Sequence, residues 1–487
     1  MTNEDLVAKV WNYAHVLRDE GVSYGDYVEQ ITYLLFLKMD AERGENLGEP
    51  SIIPAGHRWA DFASLSGEDL ESHYRDTLDT LAKAEGLVGT LFRGARNKIA
   101  SPARLTKLVS LIGGETWMGL DMDTKGEIYE GLLERNASEI KSGAGQYFTP
   151  RPVIEAIVKC VAPKIGQTVH DPACGTGGFL LSAYDFMKQA ASGDRRQTKV
   201  LREETFSGID VVAQVVRLSA MNLYLHGISR GEMDSPIENR DALSNAGTAT
   251  YDLILTNPPF GKKSSFKVIG EDGAVSTETD SYEREDFKYT TSNKQLNFLQ
   301  HIMSVLAVNG EAAVVLPDNV LFEAGQAGEG IRKRLLNQFD FHTLLRLPTG
   351  IFYKQGVKAN VLFFTKRAAS KEKQTEKLWI YDLRTNMRFT LKKNRMTGND
   401  LTDFIECYNQ KSRHKRSETE RFKCFAYDEL MARDKTNLDI FWLKDDDLED
   451  VDALPAPDII AADIVENLRE ALEQFSDVSS ELLDIES

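Results

Sequence analysis

The sequence predicts an α/β protein whose core lies between a helical N-terminal region and a helical tail. Apolar residues recur at helical spacing through the first third of the chain. Short apolar runs then alternate with helical segments between residues 167 and 365, which is typical of a parallel sheet covered by helices. These patterns predict an all-α N-terminal domain at 1–140, a Rossmann-like core at 141–398 and a C-terminal region at 399–487.

Five stretches of the N-terminal domain have the apolar spacing of helices. They cover residues 6–17, 23–39, 70–84, 102–111 and 125–137. The second stretch is dense enough for a core, because Ile31, Leu34 and Leu35 fall on one face of a helix. We therefore interpret the aromatic residues of this domain as packing groups rather than catalytic ones.

The composition excludes several classes of protein. The chain has 487 residues, of which 42% are hydrophobic, enough for two or three packed cores. It has no apolar run long enough to span a bilayer and no signal-peptide core, so we expect a cytoplasmic protein with no membrane partner. The four cysteines and eight histidines are dispersed, so neither a disulfide framework nor a metal site is predicted.

The charge balance is acidic. The chain has 58 Lys and Arg residues against 75 Asp and Glu residues, and its formal net charge is −17. A protein that binds DNA alone normally carries a basic surface. Either the substrate is therefore not a polyanion, or a partner provides much of the binding affinity for DNA. Three local basic clusters exist, and most such clusters are solvated faces. They are Lys262, Lys263 and Lys267; Lys392, Lys393 and Arg395; and Lys411, Arg413, Lys415 and Arg416.

The first motif of the core precedes a predicted helix that ends at about residue 161. Its residues are Gln146, Tyr147, Phe148, Thr149, Pro150 and Arg151. We predict Thr149 as the N-cap and Pro150 at the first helical position. A helix start of this kind binds a ligand through its backbone N–H groups, or it is simply a capped helix with a hydrophobic staple.

A glycine-rich turn follows the predicted strand at 167–170 and precedes a predicted helix at 180–188. It contains Asp171, Cys174, Gly175, Thr176, Gly177 and Gly178. Glycines at such a turn let a ligand approach the backbone. The third residue after Gly177 is Leu180, which departs from the dinucleotide fingerprint and favours a smaller nucleoside ligand. We interpret Cys174 as a small loop residue rather than a nucleophile.

Two acidic residues follow the next predicted strands. Asp210 ends the strand at 205–209, before a helix at 211–226, and Asp241 follows a short strand at 236–238. An acid at the tip of the second strand is placed to accept both ribose hydroxyls, and Asp241 to accept from the amino group of an adenine. The alternatives are a helix N-cap for Asp210 and a turn or N-cap for Asp241.

The fourth predicted strand carries the most informative motif. The apolar run at 253–255 is a buried strand that ends in Asn257, Pro258, Pro259 and Phe260. An exocyclic amine on a planar base is a poor nucleophile, and two acceptors localise its lone pair. The Asn257 side-chain oxygen and the Pro258 carbonyl are candidate acceptors, with Phe260 stacked on the base. The alternative is a strand-ending turn with a packed aromatic ring.

The remaining segments complete the core and the tail. Residues 261–293 show no periodicity and predict either a lid or an idle insertion. The loop at 347–352 is expected at the same edge as the fourth strand. The apolar stripe at 460–475 predicts an amphipathic helix that docks a partner or packs on its own domain. The other predicted elements are helices at 296–307 and 331–339, strands at 312–316, 343–347, 360–365 and 377–381, and a turn at Asn309 and Gly310.

In their order along the chain, the three motifs resemble the modification subunit of type I restriction–modification systems (HsdM-type). The similarity also takes in residues 125–130 and 357–365. This family comprises S-adenosylmethionine-dependent adenine-N6 DNA methyltransferases. The resemblance implies a methyltransferase core, a helical N-terminal domain, and a complex of two such subunits with one specificity subunit that reads DNA. Adding the restriction and translocase subunit gives the restriction enzyme.

The resemblance also implies a role for each motif residue. Gln146 to Arg151 line the methionine side of the cofactor, and Asp171 meets its amino group. Thr176 to Gly178 form the loop beneath it, Asp210 takes the ribose, and Asp241 or its neighbours take the adenine. Asn257, Pro258 and Phe260 hold the target base. Two alternatives remain open: a methyltransferase of protein glutamine or RNA, and a non-catalytic assembly subunit.

Overall fold

The structure is a computed structural model, which divides into two compact units. The first comprises Met1–Gln146 with Lys164–Asp241, and the second Tyr147–Pro163 with Ala242–Ser487. The predicted domain boundaries at 140 and 398 stay a prediction. The described residues are 24–47, 50–117, 149–191, 193–229, 234–260, 265–269, 275–279, 282–352, 357–390 and 394–443, with six positions between 459 and 469.

The N-terminal part of the first unit is helical, as predicted. Its described helices are α1 (Tyr24–Leu47), α2 (Trp59–Phe62), α3 (Gly67–Ala82), α4 (Gly86–Phe92) and α5 (Pro102–Gly113). The predicted helices at 23–39, 70–84 and 102–111 are confirmed, whereas those at 6–17 and 125–137 lie outside the described residues. The sequence did not predict α2 and α4, because four and seven residues are too few to establish a helical period.

The rest of the first unit alternates strands with helices. Its elements are β1 (Val169–Asp171), α7 (Gly178–Ala190), α8 (Arg195–Glu203), β2 (Phe206–Asp210), α9 (Ala213–Leu225) and β3 (Ile237–Asn239). Strand β2 pairs in parallel with both β1 and β3, so the carboxyl ends of all three strands share one edge. These predictions are confirmed, except that α8 was missed. Leu201 is its single buried residue, so α8 gives almost no apolar signal.

One hydrophobic core joins the two parts of the first unit. Ala220, Met221 and Tyr224 of α9 pack with the buried side chains of the N-terminal helices. The Tyr224 hydroxyl donates to Asp40 at 3.0 Å, and the Arg43 guanidinium lies 4.5 Å from the Tyr224 ring centre. The N-terminal helices therefore support the helix that follows β2.

Six strands of the second unit lie side by side in the order β11-β10-β8-β9-β7-β4. Strand β4 pairs in parallel with β7, and β8 with β10. Strand β9 runs antiparallel between β7 and β8, and β11 runs antiparallel to β10. The strands are β4 (Tyr251–Thr256), β7 (Leu306–Pro317), β8 (Phe339–Arg346), β9 (Ala359–Lys366), β10 (Lys377–Asp382) and β11 (Phe422–Ala426).

Five described α-helices accompany this sheet. They are α6 (Arg151–Val161), α10 (Lys294–Val305), α11 (Gly325–Gln338), α12 (Thr402–Tyr408) and α13 (Tyr427–Ala432). The helices predicted at 296–307 and 331–339 are confirmed, as are the strands predicted at 312–316, 343–347, 360–365 and 377–381. The predicted turn at Asn309 and Gly310 is wrong, because strand β7 continues through both residues. Asn309 has a left-handed backbone there, with a φ of 66°.

The structure also describes parts of the segment at 261–293 and of the predicted helix at 460–475. Residues 261–293 contain an antiparallel hairpin of β5 (Ser265–Ile269) and β6 (Val275–Thr279), which the sequence did not predict, and the choice between a lid and an idle insertion stays a prediction. Five-residue strands are too short to stand out in a polar segment. The six described positions between 459 and 469 are helical, and Ile464 and Leu468 are 52% and 64% exposed. Within the described residues, no helix is long and apolar enough to cross a membrane.

Candidate active site

One group of candidate residues lies in the first unit, at the turn that follows β1. Asp171 is buried and accepts a hydrogen bond from the Ala173 N–H at 3.0 Å. The Cys174 N–H donates to the Ile209 carbonyl of β2 at 2.9 Å, and the Gly177 N–H donates to the Cys174 carbonyl at 2.8 Å. The turn is thus held by backbone hydrogen bonds to itself and to the neighbouring strand.

Two glycines of this turn have left-handed backbones. Gly177 has a φ of +85°, and a Cβ there would lie 2.5 Å from Leu223 Cδ1 and 3.0 Å from Ser219 Oγ. Gly175 has a φ of +52°, and a Cβ there would have no atom within 4 Å. Gly177 is therefore required by close packing on α9, while the backbone at Gly175 borders open space that a ligand can occupy.

The remaining residues of the turn have structural partners. The Thr176 carbonyl accepts from the Asn222 side chain of α9 at 3.2 Å. Gly178 is the first residue of α7. Cys174 is buried, and burial raises the pKa of its thiol well above the ordinary value. A protonated thiol is a weak nucleophile, which agrees with the interpretation of Cys174 as a loop residue.

Asp210 connects the end of β2 to the glycine turn. Its carboxylate accepts from the Val212 N–H at 2.8 Å and from the Gly175 N–H at 3.2 Å. Burial raises the pKa of the Asp210 carboxyl, and these two N–H groups act in the opposite direction. The N-cap of α9 is Val212, so the alternative of Asp210 as that N-cap is wrong.

Three residues near Asp210 were missed by the sequence analysis. Val211 and Val212 are 67% and 41% exposed, although both are large and apolar. The Asn239 amide at the end of β3 donates to the carbonyls of Asp210 and Val211, both at 3.1 Å. The sequence signal was an apolar pair directly after a strand-ending acid. The predicted Asp241 lies two residues after β3 and is half-buried.

Another group of candidate residues lies in the second unit, at the carboxyl end of β4. The Asn257 side-chain N–H donates to the Thr149 hydroxyl at 2.7 Å, and Thr149 is buried. The predictions of Thr149 as an N-cap and of Pro150 at the first helical position are wrong, because the N-cap of α6 is Pro150. The Pro150 carbonyl accepts from Val153 and Ile154, while the Thr149 hydroxyl faces Asn257.

An aromatic pair lies next to this end of β4. Pro258 is buried and Pro259 exposed, and the half-buried Phe260 ring lies 5.8 Å from the Phe352 ring at an interplanar angle of 67°. Phe352 belongs to the loop after β8, which the sequence placed at this edge without identifying that ring. An edge-to-face pair holds the Phe260 ring in a fixed orientation.

The predicted site residues thus divide between the two units. Arg151 begins α6 and pairs with Glu155 at 3.3 Å, as neighbouring helical turns do. The predicted Gln146, Tyr147 and Phe148 lie outside the described residues. The first unit contains Asp171, Gly175, Thr176, Gly177, Gly178, Asp210 and Asp241, and the second contains Thr149, Pro150, Arg151, Asn257, Pro258, Pro259 and Phe260.

Comparison with known families identifies the chain. Residues 120–441 match the N-6 DNA Methylase family, and residues 6–112 match the HsdM N-terminal domain. The EcoKI type I restriction enzyme methylase subunit of Escherichia coli K12 is 38% identical over 99% of this chain and 96% of its own length. The StySJI methylase subunit of Salmonella typhimurium is 39% identical with the same coverage.

Solved structures agree with this assignment. The crystal structure of the EcoKI M protein has 33% identity and a TM-score of 0.54, and covers 98% of this chain and 96% of that one. A chain from a structural study of type I restriction–modification complex assembly has 28% identity, a TM-score of 0.71 and full coverage of both chains. The predicted resemblance and methyltransferase fold are confirmed. The chain belongs to the N-6 DNA methylase family and, within it, to the methylase subunits of type I restriction enzymes.

Proposed function

We propose that this chain transfers a methyl group from S-adenosylmethionine to the N6 atom of an adenine flipped out of DNA, as the modification subunit of a type I complex. The observation that carries this proposal is the Asn257 amide, whose nitrogen donates to the buried Thr149 hydroxyl. With the nitrogen so engaged, the amide oxygen is directed to the other side. A carbonyl-type acceptor at a strand end is what an adenine amine requires.

The residues of the first unit fit the methyl donor. Gly175 borders open space, Asp210 offers a carboxylate, and Val211 and Val212 expose apolar surface beside it. In our proposal Asp210 accepts the ribose hydroxyls, and the two valines pack on the adenine ring. Asp171 accepts from the methionine amino group, Thr176 to Gly178 lie beneath the donor, and Asp241 faces its adenine. Gln146 to Arg151 complete its methionine side.

The residues of the second unit activate the target. When bound, S-adenosylmethionine supplies a methyl group attached to a positively charged sulfur. The amine nitrogen attacks the carbon of this methyl group in line with the carbon–sulfur bond, which breaks. The Asn257 oxygen and the Pro258 carbonyl accept the two N–H groups and localise the nitrogen lone pair. They also stabilise the positive charge that develops on nitrogen. The methylated nitrogen then loses one proton to water, so no general base is required.

Base flipping makes this geometry accessible. The N6 amine of a paired adenine is engaged with thymine, so the base must leave the duplex at a cost of about a few kcal/mol. Phe260 offers one aromatic face to the flipped base, and Phe352 holds the Phe260 ring in orientation. Pro258 and Pro259 restrict the backbone, so the carbonyl acceptor needs little reorganisation during transfer.

Partners supply what this chain lacks. A formal net charge of −17 is unfavourable for binding DNA, so a specificity subunit contributes most of the binding affinity. The same subunit reads the DNA sequence. We propose two copies of this chain per specificity subunit, with the restriction and translocase subunit added for cleavage. The predicted amphipathic segment at 460–475 is the proposed docking site for the specificity subunit, because Ile464 and Leu468, which the structure describes, are exposed.

The product identifies the reaction. The full chain, purified with its specificity subunit, is incubated with DNA and methyl-labelled S-adenosylmethionine, and the DNA is digested to nucleosides. The proposal predicts labelled N6-methyladenine. Label in protein glutamine or RNA would support the alternative methyltransferase. An absence of label, together with no heat on titration of the donor, would support the non-catalytic assembly subunit.

A further inference from the structure

A group of buried polar side chains lies where three neighbouring strands of the second unit end or begin. Arg346 is the last residue of β8 and is fully buried, and Asp318 follows β7 directly. Asn360, near the start of β9, lies opposite Arg346 in the sheet. Because β9 is antiparallel to β7 and β8, and β4 is parallel to β7, this is also the edge where β4 ends before Asn257. The group therefore shares a sheet edge with the residues that we assign to the target base.

Arg346 joins this edge to the C-terminal part of the second unit. Its Nη2 group donates to the Asp318 carboxylate at 3.3 Å and also to the Asp439 carboxylate. The Asn360 amide donates to the same Asp318 oxygen at 2.7 Å. A buried charge of this kind is stable only while it stays paired, so one guanidinium holds two acidic side chains from separate segments in place.

The loop that carries Phe352 begins immediately after this arginine. We define the Phe352 loop as residues 347–352, which follow β8 directly. The Leu347 N–H donates to the Ala359 carbonyl of β9 at 2.9 Å, and the buried Phe352 ring contacts the Phe260 ring. A shift at the end of β8 is therefore transmitted through the Phe352 loop to the Phe260 ring.

A second buried arginine of the same unit provides a natural comparison. Arg332 of α11 donates to four backbone carbonyls, two in the segment after β7 and two in the C-terminal part. These carbonyls belong to Val320, Glu323, Lys435 and Thr436. Arg332 thus bridges the same two parts of the chain as Arg346, but it lies within a helix and not next to the Phe352 loop. Comparing the two arginines separates the bridging of these segments from the positioning of the loop.

We propose that Arg346 is a positioning residue for methyl transfer, because it fixes the Phe352 loop and with it the Phe260 ring on which the flipped base stacks. This inference rests on the proposed function and adds to it a residue that acts through others. Supporting groups of this kind keep a site within the narrow geometry that a reaction requires. Since Asp439 is one of the partners of Arg346, the positioning also depends on the segment that precedes the proposed docking site at 460–475.

Hydrogen exchange tests the positioning without DNA or donor. Arg346→Gln removes the charge, Arg346→Lys keeps it, and Arg332→Gln is the matched control, each as the full chain co-purified with the specificity subunit. Mass spectrometry follows peptides that cover the Phe352 loop, where the Leu347 N–H is protected by its hydrogen bond. We expect exchange there to be about tenfold faster in Arg346→Gln, intermediate in Arg346→Lys and near the wild-type rate in Arg332→Gln.

Base flipping tests the consequence for the reaction. The same complexes receive DNA with 2-aminopurine at the target position, and single-turnover methyl transfer is measured on ordinary DNA with saturating donor. The flipped fraction in Arg346→Gln should fall about two- to fivefold, because the contact with Phe260 is weakened and not lost. The transfer rate should fall by the same factor, and Arg346→Lys should restore part of both. The Kd for S-adenosylmethionine should stay within about twofold of wild type, because the assigned donor residues are distant in the chain.

Asp439→Asn keeps the inference testable if the loss of the Arg346 charge prevents folding. This substitution keeps the shape of the side chain, and Arg346 stays paired with Asp318. We expect faster exchange in the Phe352 loop and a smaller flipped fraction, both changed by a smaller factor than in Arg346→Gln.

Three results would overturn the inference. They are wild-type exchange in the Phe352 loop of the Arg346→Gln and Asp439→Asn variants that fold, equal changes in Arg346→Gln and Arg332→Gln, and faster exchange with an unchanged flipped fraction. The second would show that both arginines only stabilise the fold. A wild-type complex that makes no N6-methyladenine would refute the proposed function, and the exchange measurement would still decide whether Arg346 fixes the Phe352 loop.

Discussion

The glycine turn of the first unit and the Asn257 edge of the second are held in place by different means. The turn after β1 is held by backbone hydrogen bonds and by a glycine at position 177 that admits no side chain. The edge after β4 is held by side-chain pairs, Asn257 with Thr149 and Phe260 with Phe352. The first therefore tolerates changes that keep its backbone, whereas the second depends on single functional groups.

The largest effect among these supporting residues is expected at Thr149. Thr149→Val removes the hydroxyl that accepts from the Asn257 amide while keeping the shape of the side chain. A freed amide turns away from the productive orientation, and we expect kcat to fall about 10- to 100-fold. Single-turnover methyl transfer and calorimetric donor binding measure the two effects separately.

Thr149→Ser is the matched control, because it keeps the hydroxyl and loses only a methyl group. We expect it to restore most of the rate. Equal losses in the Val and Ser variants would show that Thr149 acts through packing and not through the Asn257 amide.

Gly177→Ala tests the backbone-held region. The added Cβ would overlap Leu223, so the free energy of unfolding should fall by about 1–3 kcal/mol and donor affinity should fall with it. Gly247→Ala is the control, because Gly247 has a φ of +72° with open space around its Cβ position. The free energy of unfolding and the donor affinity of both variants are measured by denaturant unfolding and by titration. The comparison separates the steric overlap with Leu223 from the strain of a side chain at positive φ. Equal losses would contradict the packing argument.

Phe352→Leu tests the aromatic pair of the second unit. Such pairs are worth about 0.5–1.5 kcal/mol beyond buried area, so the flipped base should be held about two- to tenfold less tightly. The fluorescence of 2-aminopurine, placed at the position of the target adenine, measures the fraction of the base that is flipped. Phe339→Leu, in a buried pair with Phe364 at 5.6 Å, controls for loss of stability. A change of similar size in both variants would refute the role.

The smallest effect near neutral pH is expected at Asp210. Its ionised form is the better acceptor for ribose hydroxyls, so donor affinity should fall as the pH is lowered through its pKa. Because burial raises that pKa from 3.8, the fall should begin at a higher pH than for an ordinary aspartate. Calorimetry between about pH 4.5 and 8 measures it. Asp210→Asn should remove this part of the pH dependence, and a profile unchanged by that substitution would contradict the assignment.

The same contrast explains what the sequence could predict. The glycine turn was predicted almost completely, because its strand, turn residues and helix are adjacent in the chain. The Thr149 contact was not, since it joins residues 108 positions apart, and local capping rules assigned that hydroxyl to a helix end instead. Phe352 was missed for a similar reason. Local patterns specify elements, but they do not specify which side chains meet across a sheet edge.

Elements with weak apolar signals were also beyond sequence reasoning. Helix α8 buries only Leu201, and the antiparallel orientation of β9 between β7 and β8 leaves no trace in a continuous apolar run. Burial on both faces hides strand direction, because parallel and antiparallel central strands have the same composition.

The most direct test is the single-turnover rate of Asn257→Ala, measured in the complex with saturating donor and DNA. If the Asn257 oxygen accepts from the reacting amine, the rate falls by at least about 100-fold while the Kd for S-adenosylmethionine stays within about twofold of wild type. A rate within about twofold of wild type would contradict the proposed role of Asn257.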